Sequence, residues 1–79
     1  MQVRLLAFGI TSDILGAINS FELEQGQTVG DLRNALEMRF PKLQSFKNYA
    51  IAVNENYAEN AVQLSENDTV ALIPPVSGG

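Results

Sequence analysis

A layered α+β fold, a mixed sheet with one long helix packed across one face, follows from three patterns in the 79-residue chain. Segments near both ends and in the middle alternate apolar and polar residues with the two-residue period of a strand. One segment, 28–40, instead spaces its apolar residues as a helix does. The order is strand, strand, helix, then two or three more strands, which suits a sheet covered by a helix. The length allows one small domain, near the limit at which a single core suffices. Residues 1–73 are read as that domain and 74–79 as an extended tail.

Gln2 to Phe8 reads as the first strand, with Val3, Leu5 and Ala7 on one face. Leu6 and Phe8 on the other imply that neither side is fully wet, or that one side meets a partner. Gly9 to Gly16 is a turn or short helical segment that tucks Ile14 and Leu15 under the sheet. From Ile18 to Glu24, Phe21 and Leu23 face inward while Ser20, Glu22 and Glu24 face out, a half-buried strand closed by Gln25-Gly26-Gln27. Thr28-Val29-Gly30-Asp31 has the form of a helix cap, with Thr28 as N-cap and Asp31 three positions on, where an acid also suits the helix dipole. Val29, Leu32, Leu36 and Phe40 share one face of that helix, Arg33, Asn34 and Glu37 lie elsewhere, and Pro41 stops it.

A connection over 42–48 is pinned by Leu43 and Phe46, and Tyr49 to Val53 forms a third strand. Asn54-Glu55-Asn56 turns towards Tyr57, a short strand is expected near Ala61 to Leu64, and Ser65-Glu66-Asn67-Asp68 makes a second turn. Thr69 to Ile73 is the last strand, expected to pair in parallel with the first in the middle of the sheet. Thr28 and Asp31 are read as capping groups, Asn54 as a turn former, and the scattered acids as solvated charge. Tyr49 and Tyr57 are read as packing groups with wet hydroxyls.

Composition narrows the function. The absence of Cys removes thiolate chemistry, disulfides and Cys-based metal sites, and the absence of His removes the usual general base. Such a chain is poorly equipped to run a reaction from its own side chains, and no metal site is expected. A net charge of −4, with only five Lys and Arg, argues against nucleic acid and suits partners with basic surfaces. No run approaches the ~20 apolar residues of a membrane span, so a cytoplasmic protein without a membrane partner is expected.

The most specific signal is the final run, Pro74-Pro75-Val76-Ser77-Gly78-Gly79. Each proline fixes φ and removes an N–H, so a strand cannot keep pairing past it and the chain is held extended. Glycines at the tip leave a bare carboxylate that can enter a narrow site. A frayed end is the bland alternative, disfavoured by the Pro-Pro-Val that precedes the glycines. Phe8, Leu72 and Ile73 are candidates for a partner-facing patch, although Leu72 reads equally well as core.

Leu64, Asp68, Val70, Ala71, Pro74, Pro75, Val76, Gly78 and Gly79, with Thr28-Val29, Leu32, Leu36, Ala52-Val53-Asn54 and Tyr57, carry a resemblance that spans essentially the whole chain. On these residues the chain resembles the ubiquitin-like β-grasp, and within it the MoaD/ThiS-like family of sulfur carriers, whose members include the molybdopterin synthase small subunit. The resemblance implies that Gly79 is adenylated by a ubiquitin-activating-like enzyme using MgATP and converted to a thiocarboxylate by a sulfur donor protein. It implies that Pro74, Pro75, Val76, Ser77 and Gly78 enter the large synthase subunit, within a heterotetramer, to deliver sulfur to a cyclic pyranopterin monophosphate. No cofactor is implied on the chain itself, and the catalytic groups are implied to belong to the large subunit. One departure is visible. Family members commonly carry a basic residue in the loop after the first strand, where this chain has Thr11-Ser12-Asp13. Other readings remain: a carrier for thiamine thiazole or tRNA thiolation, a ubiquitin-like modifier joined through Gly79 to a lysine, or a binding module with an inert tail.

Overall fold

The structure, a computed structural model, describes residues 1–46 and 48–74. Its elements are β1 (Gln2–Ala7), α1 (Ile10–Leu15), β2 (Ser20–Glu22), α2 (Val29–Arg39), a 3₁₀ turn (Pro41–Ser45), β3 (Ala50–Val53), β4 (Asn56–Tyr57) and β5 (Thr69–Ile73). The strands form a 5-stranded sheet in the order β2-β1-β5-β3-β4. β1 and β5 run parallel at its centre, with Leu5 opposite Val70 and Ala7 opposite Leu72, as the sequence predicts. The other pairs are antiparallel. This is the mixed sheet with one long helix of the β-grasp.

One face of the sheet is dry. Val3, Val70, Leu72 and Ile51 are 1% exposed or less, and they form one cluster with the equally enclosed Val29, Leu32 and Leu36 of α2. Burial of a leucine-sized side chain stabilises by about 1.5–3 kcal/mol, so this layer is the main source of stability in so short a chain.

α2 begins as its sequence dictates. Thr28 Oγ1 accepts the Asp31 N–H at 3.2 Å, and Asp31 Oδ2 accepts the Thr28 N–H at 2.9 Å, a complete capping box. The next free donors go to the loop before β5. Val29 N–H reaches the Val62 carbonyl at 2.8 Å and Gly30 N–H reaches that of Asn60 at 2.9 Å. The approach is close: a Cβ on Gly30 would stand 3.1 Å from Asn60 Cβ, so any larger residue there would press on the loop.

That same loop overturns one expectation. Residues 61–64 do not form a strand. Their backbone serves the helix start and an isolated bridge between Thr28 and Gln63. The fourth strand is instead Asn56–Tyr57, made possible because Asn54 and Glu55 both take positive φ, 50° and 74°. Two successive left-handed residues close the two-residue hairpin that matches the twist of the strands. Asn54 then binds across to the second turn, its Nδ2 donating to Asp68 Oδ1 at 2.9 Å and its Oδ1 accepting the Thr69 N–H at 3.0 Å. The second strand is shorter than its alternation suggests, although Leu23 beyond it is still buried.

Tyr49 also departs from expectation. It is 3% exposed, and its hydroxyl is not wet but donates to Glu37 Oε2 at 2.7 Å. The Arg33 guanidinium lies 4.7 Å from the Tyr49 ring centroid, donates through Nη1 to the Tyr49 carbonyl at 3.2 Å, and through Nε to Asn60 Oδ1 at 3.1 Å. One arginine thus ties α2 to the lead-in of β3 and to the loop over its own N-terminus. Burial, and then the Glu37 carboxylate, push the Tyr49 hydroxyl pKa well above its ordinary value.

Candidate functional site

β5 ends at Ile73, immediately before the described chain reaches Pro74. It is held on both sides to its last residues, by Ala7 opposite Leu72 on β1 and by Ala50 opposite Ile73 on β3. Pro74 follows and has no N–H to continue either ladder. The exit point is therefore the middle of a sheet rather than a loose edge.

The α1 loop stands beside that exit. Gly9 takes φ +57°, and a Cβ there would lie 3.4 Å from Pro74 Cγ, so the proline ring rests against bare backbone. Thr11, two residues on, has no exposed surface. Its Oγ1 accepts the Phe8 N–H at 2.9 Å, and its own proton faces the carbonyls of Phe8 at 2.6 Å and Leu72 at 3.1 Å.

The face of the sheet away from α2 is largely uncovered. Strand registry sets Leu6, Ala71, Ala52 and Tyr57 in one row across four strands, β1, β5, β3 and β4. Leu6 is 48% exposed and Tyr57 75% exposed, while the two alanines between them form a low floor. With neighbouring strands about 4.8 Å apart, the row spans about 14 Å. Ala52 has little exposed surface yet stands outside the core cluster, as expected of a small residue on this opposite face. Phe8, 50% exposed, and Ile73, half-buried, extend the apolar surface to the exit. Towards the far end of β1, Gln2, Arg4, Asn19, Ser20 and Asn67 line a shallow polar depression.

The residues singled out in the sequence divide accordingly. Phe8 and Ile73 lie at the surface near the exit, and Pro74 sits half-buried against Gly9. Leu72, grouped with them in the expected patch, is fully buried: strand alternation turns it, with Val70, into the core. Pro75, Val76, Ser77, Gly78 and Gly79, expected to enter a partner, lie outside the described residues, as does most of the proposed tail 74–79. Ala71 and Tyr57 were not anticipated on the open face, nor was the buried Ala52 between them. Tyr57 is no packing group, because β4 is an edge strand with its ring on the open side. Thr11 left no signal in the sequence, since Thr-Ser-Asp reads as an ordinary polar loop.

Chemically, the described surface offers a flat apolar face and a fixed point of exit. Among the described residues no cluster of His, Cys, Asp and Glu could hold a metal ion, and no helix is long and apolar enough to cross a membrane.

Comparison with known proteins places this geometry. Residues 5–79 match the model of the ThiS family. The chain is 34% identical over 83 residues to the molybdopterin synthase sulfur carrier subunit of Chlamydomonas reinhardtii, with 100% of each chain covered. Among solved structures, SAMP1 from Haloferax volcanii superposes with a TM-score of 0.83 over 100% of both chains at 24% identity, a likeness of fold. The complex of subunits 1 and 2 of molybdopterin-converting factor from Helicobacter pylori contains a chain 28% identical, with a TM-score of 0.66 and 100% of both chains covered.

Proposed function

The chain belongs to the ThiS family, and from that membership we propose that it is the sulfur-carrier subunit of a molybdopterin synthase, with the Gly79 carboxylate as the site that carries sulfur. The observation that bears most on this reading is that the family match runs through the final Pro-Pro-Val-Ser-Gly-Gly, with whole-chain similarity to molybdopterin synthase sulfur carriers. A carboxylate is a poor electrophile and must be activated. In the proposed sequence a Gly79 oxygen attacks the α-phosphorus of ATP, held with magnesium by an adenylating enzyme, and pyrophosphate leaves. Sulfur at the sulfide level from a donor protein then attacks the acyl carbon and AMP leaves, giving a thiocarboxylate. In the synthase, that sulfur displaces an oxygen substituent from a carbon of the pterin precursor, water then cleaves the acyl–sulfur bond to leave the sulfur on the pterin, and the carboxylate returns. With neither Cys nor His in the chain, proton transfer and oxyanion stabilisation fall to the partners.

The body supports this role as a handle. The Helicobacter pylori relative is bound to a second subunit. For this chain we place the corresponding large subunit on the open face along Leu6, Ala71, Ala52 and Tyr57, beside the exit at Pro74. Such a face supplies the apolar centre and aromatic anchor that bind a protein surface. Pro74, Pro75, Val76, Ser77 and Gly78 then act as a slender lead, and prolines lower the entropy lost on ordering it.

The test is the intact mass of the chain after incubation with MgATP, an adenylating enzyme of the family and a sulfur donor. The native chain should gain the difference between one sulfur and one oxygen, and a variant with one residue appended after Gly79 should not. Equal loading of both would contradict the assignment to Gly79. Stable conjugates to lysines of other proteins, in place of loading, would point to a modifier.

A further inference from the structure

Thr11-Ser12-Asp13, in the first turn of α1, lies beside the point where β1 stops and β5 reaches its last residue. The Thr11 side chain is fully buried. A hydroxyl taken from water and left unpaired costs free energy, so its bonds must be made. They reach two places: the turn at Phe8, through its N–H at 2.9 Å and its carbonyl at 2.6 Å, and the Leu72 carbonyl of β5 at 3.1 Å. β1 ends at Ala7, opposite Leu72, so β5 loses that flanking strand just as it reaches Ile73. There the Thr11 hydroxyl shares its single proton between the Phe8 carbonyl at 2.6 Å and the Leu72 carbonyl at 3.1 Å. Gly9, in the same loop, meets Pro74 on the far side of Ile73. The loop therefore touches the outgoing chain immediately before and immediately after Ile73.

We infer that Thr11 is a positioning residue, whose buried hydroxyl, together with the Gly9–Pro74 contact, sets the direction in which the chain leaves the sheet. The consequence is one of leverage. Gly79 lies five residues beyond Pro74, so if a partner holds the tail drawn out to its full reach of about 17 Å, a tilt of about 10° at the root sweeps ~3 Å at the tip. An error of that size matters for a reacting group, since misplacement by about 1 Å costs up to about a hundredfold in rate.

This inference deepens the carrier reading, but its first test does not depend on it. Residual dipolar couplings are measured on the full chain for the wild type, Thr11→Val and Thr11→Ser, at the Ile73 N–H and the Pro74 Cα–Hα, with Leu5 and Val70 reporting the body. In the wild type and in Thr11→Ser, both exit couplings should fit the alignment of the body. In Thr11→Val, which keeps the shape and loses the hydroxyl, they should depart from it while Leu5 and Val70 do not. Exit couplings unchanged in Thr11→Val would overturn the inference and leave Thr11 as a core residue that matters for stability alone. Should that variant not fold, Pro74→Ala, which removes the ring contact with Gly9, is read at Ile73 and position 74, and unchanged couplings there overturn it equally. The second test is sulfur loading by the adenylating enzyme, where Thr11→Val should lower kcat about tenfold with KM nearly unchanged and Thr11→Ser should recover it. An unchanged kcat in Thr11→Val overturns the positioning role. A wild-type chain that never loads sulfur overturns the carrier reading, and the couplings still decide the role of Thr11.

Discussion

At the scale of single residues, the structure assigns work to side chains that the sequence treats as neutral. Tyr49 is an example. Its hydroxyl bond to Glu37 and its burial favour the protonated form, so the folded chain holds that proton more tightly than the unfolded chain. A raised folded-state value means that the stabilisation is complete below the unfolded tyrosine pKa of about 10 and is lost as pH climbs above it. Denaturant melts of wild type and Tyr49→Phe from neutral to strongly alkaline pH should therefore converge: the wild type loses stability above about pH 10 more steeply than the variant. Parallel curves would show that Tyr49 ionises as freely folded as unfolded. Glu55 makes the opposite kind of case. Its φ of 74° holds a side chain in a left-handed turn that glycine occupies without penalty. Glu55→Gly should raise the denaturation midpoint by about 0.5–1 kcal/mol of stability, and a lowered midpoint would mean that the turn is not strained. The capping pair Thr28 and Asp31 was legible in sequence because a capping box is a local motif. Thr11 and Tyr49 were not, because their partners lie far along the chain: Leu72 for Thr11, and Glu37, one helix away, for Tyr49.

At the scale of elements, the same contrast holds. α2 and the central strands were readable because each has a clean period and a recognisable stop, Pro41 for α2 and Pro74 for β5. The parallel pairing of β1 with β5 was readable too, being the arrangement the element order favours. The stretch 61–64 misled because its apolar residues have the composition of a strand while its backbone is committed to the first donors of α2. The open row was hidden for a related reason. Alanine carries no sign of which side of a sheet it faces, so Ala52 and Ala71 become informative only once registry sets them between Leu6 and Tyr57. If this row is the docking face, Leu6→Ala and Tyr57→Ala should each weaken binding to the large subunit by about 1–2 kcal/mol or more, as anchors at an interface do. Both positions are exposed, so melting temperatures should barely move. Calorimetric titration checks this, and undiminished affinity in both variants would place the interface elsewhere.

At the scale of the whole molecule, the proposed function divides the labour between body and tail. The body has one dry face that holds it together and one apolar face left open, and its sheet delivers the chain outward from its centre. Its acid excess, a net charge of −4, suits encounter with basic partner surfaces. What was legible was the kind of molecule, since the closing Pro-Pro-Val-Ser-Gly-Gly and the element order are both local in the sequence. The contacts among β1, α1 and β5 on which the proposed aiming of the tail rests were not legible, because they join residues far apart in the chain. The central claim is that this body carries and aims a sulfur held on its last residue. The most direct measurement loads the chain with sulfur, mixes it with its large subunit and the pterin precursor, and follows the chain by intact mass alongside the product. The account predicts that the sulfur leaves Gly79 as product forms, each chain giving up one sulfur and returning to its carboxylate mass. Product formed while the loaded chain keeps its sulfur would contradict it.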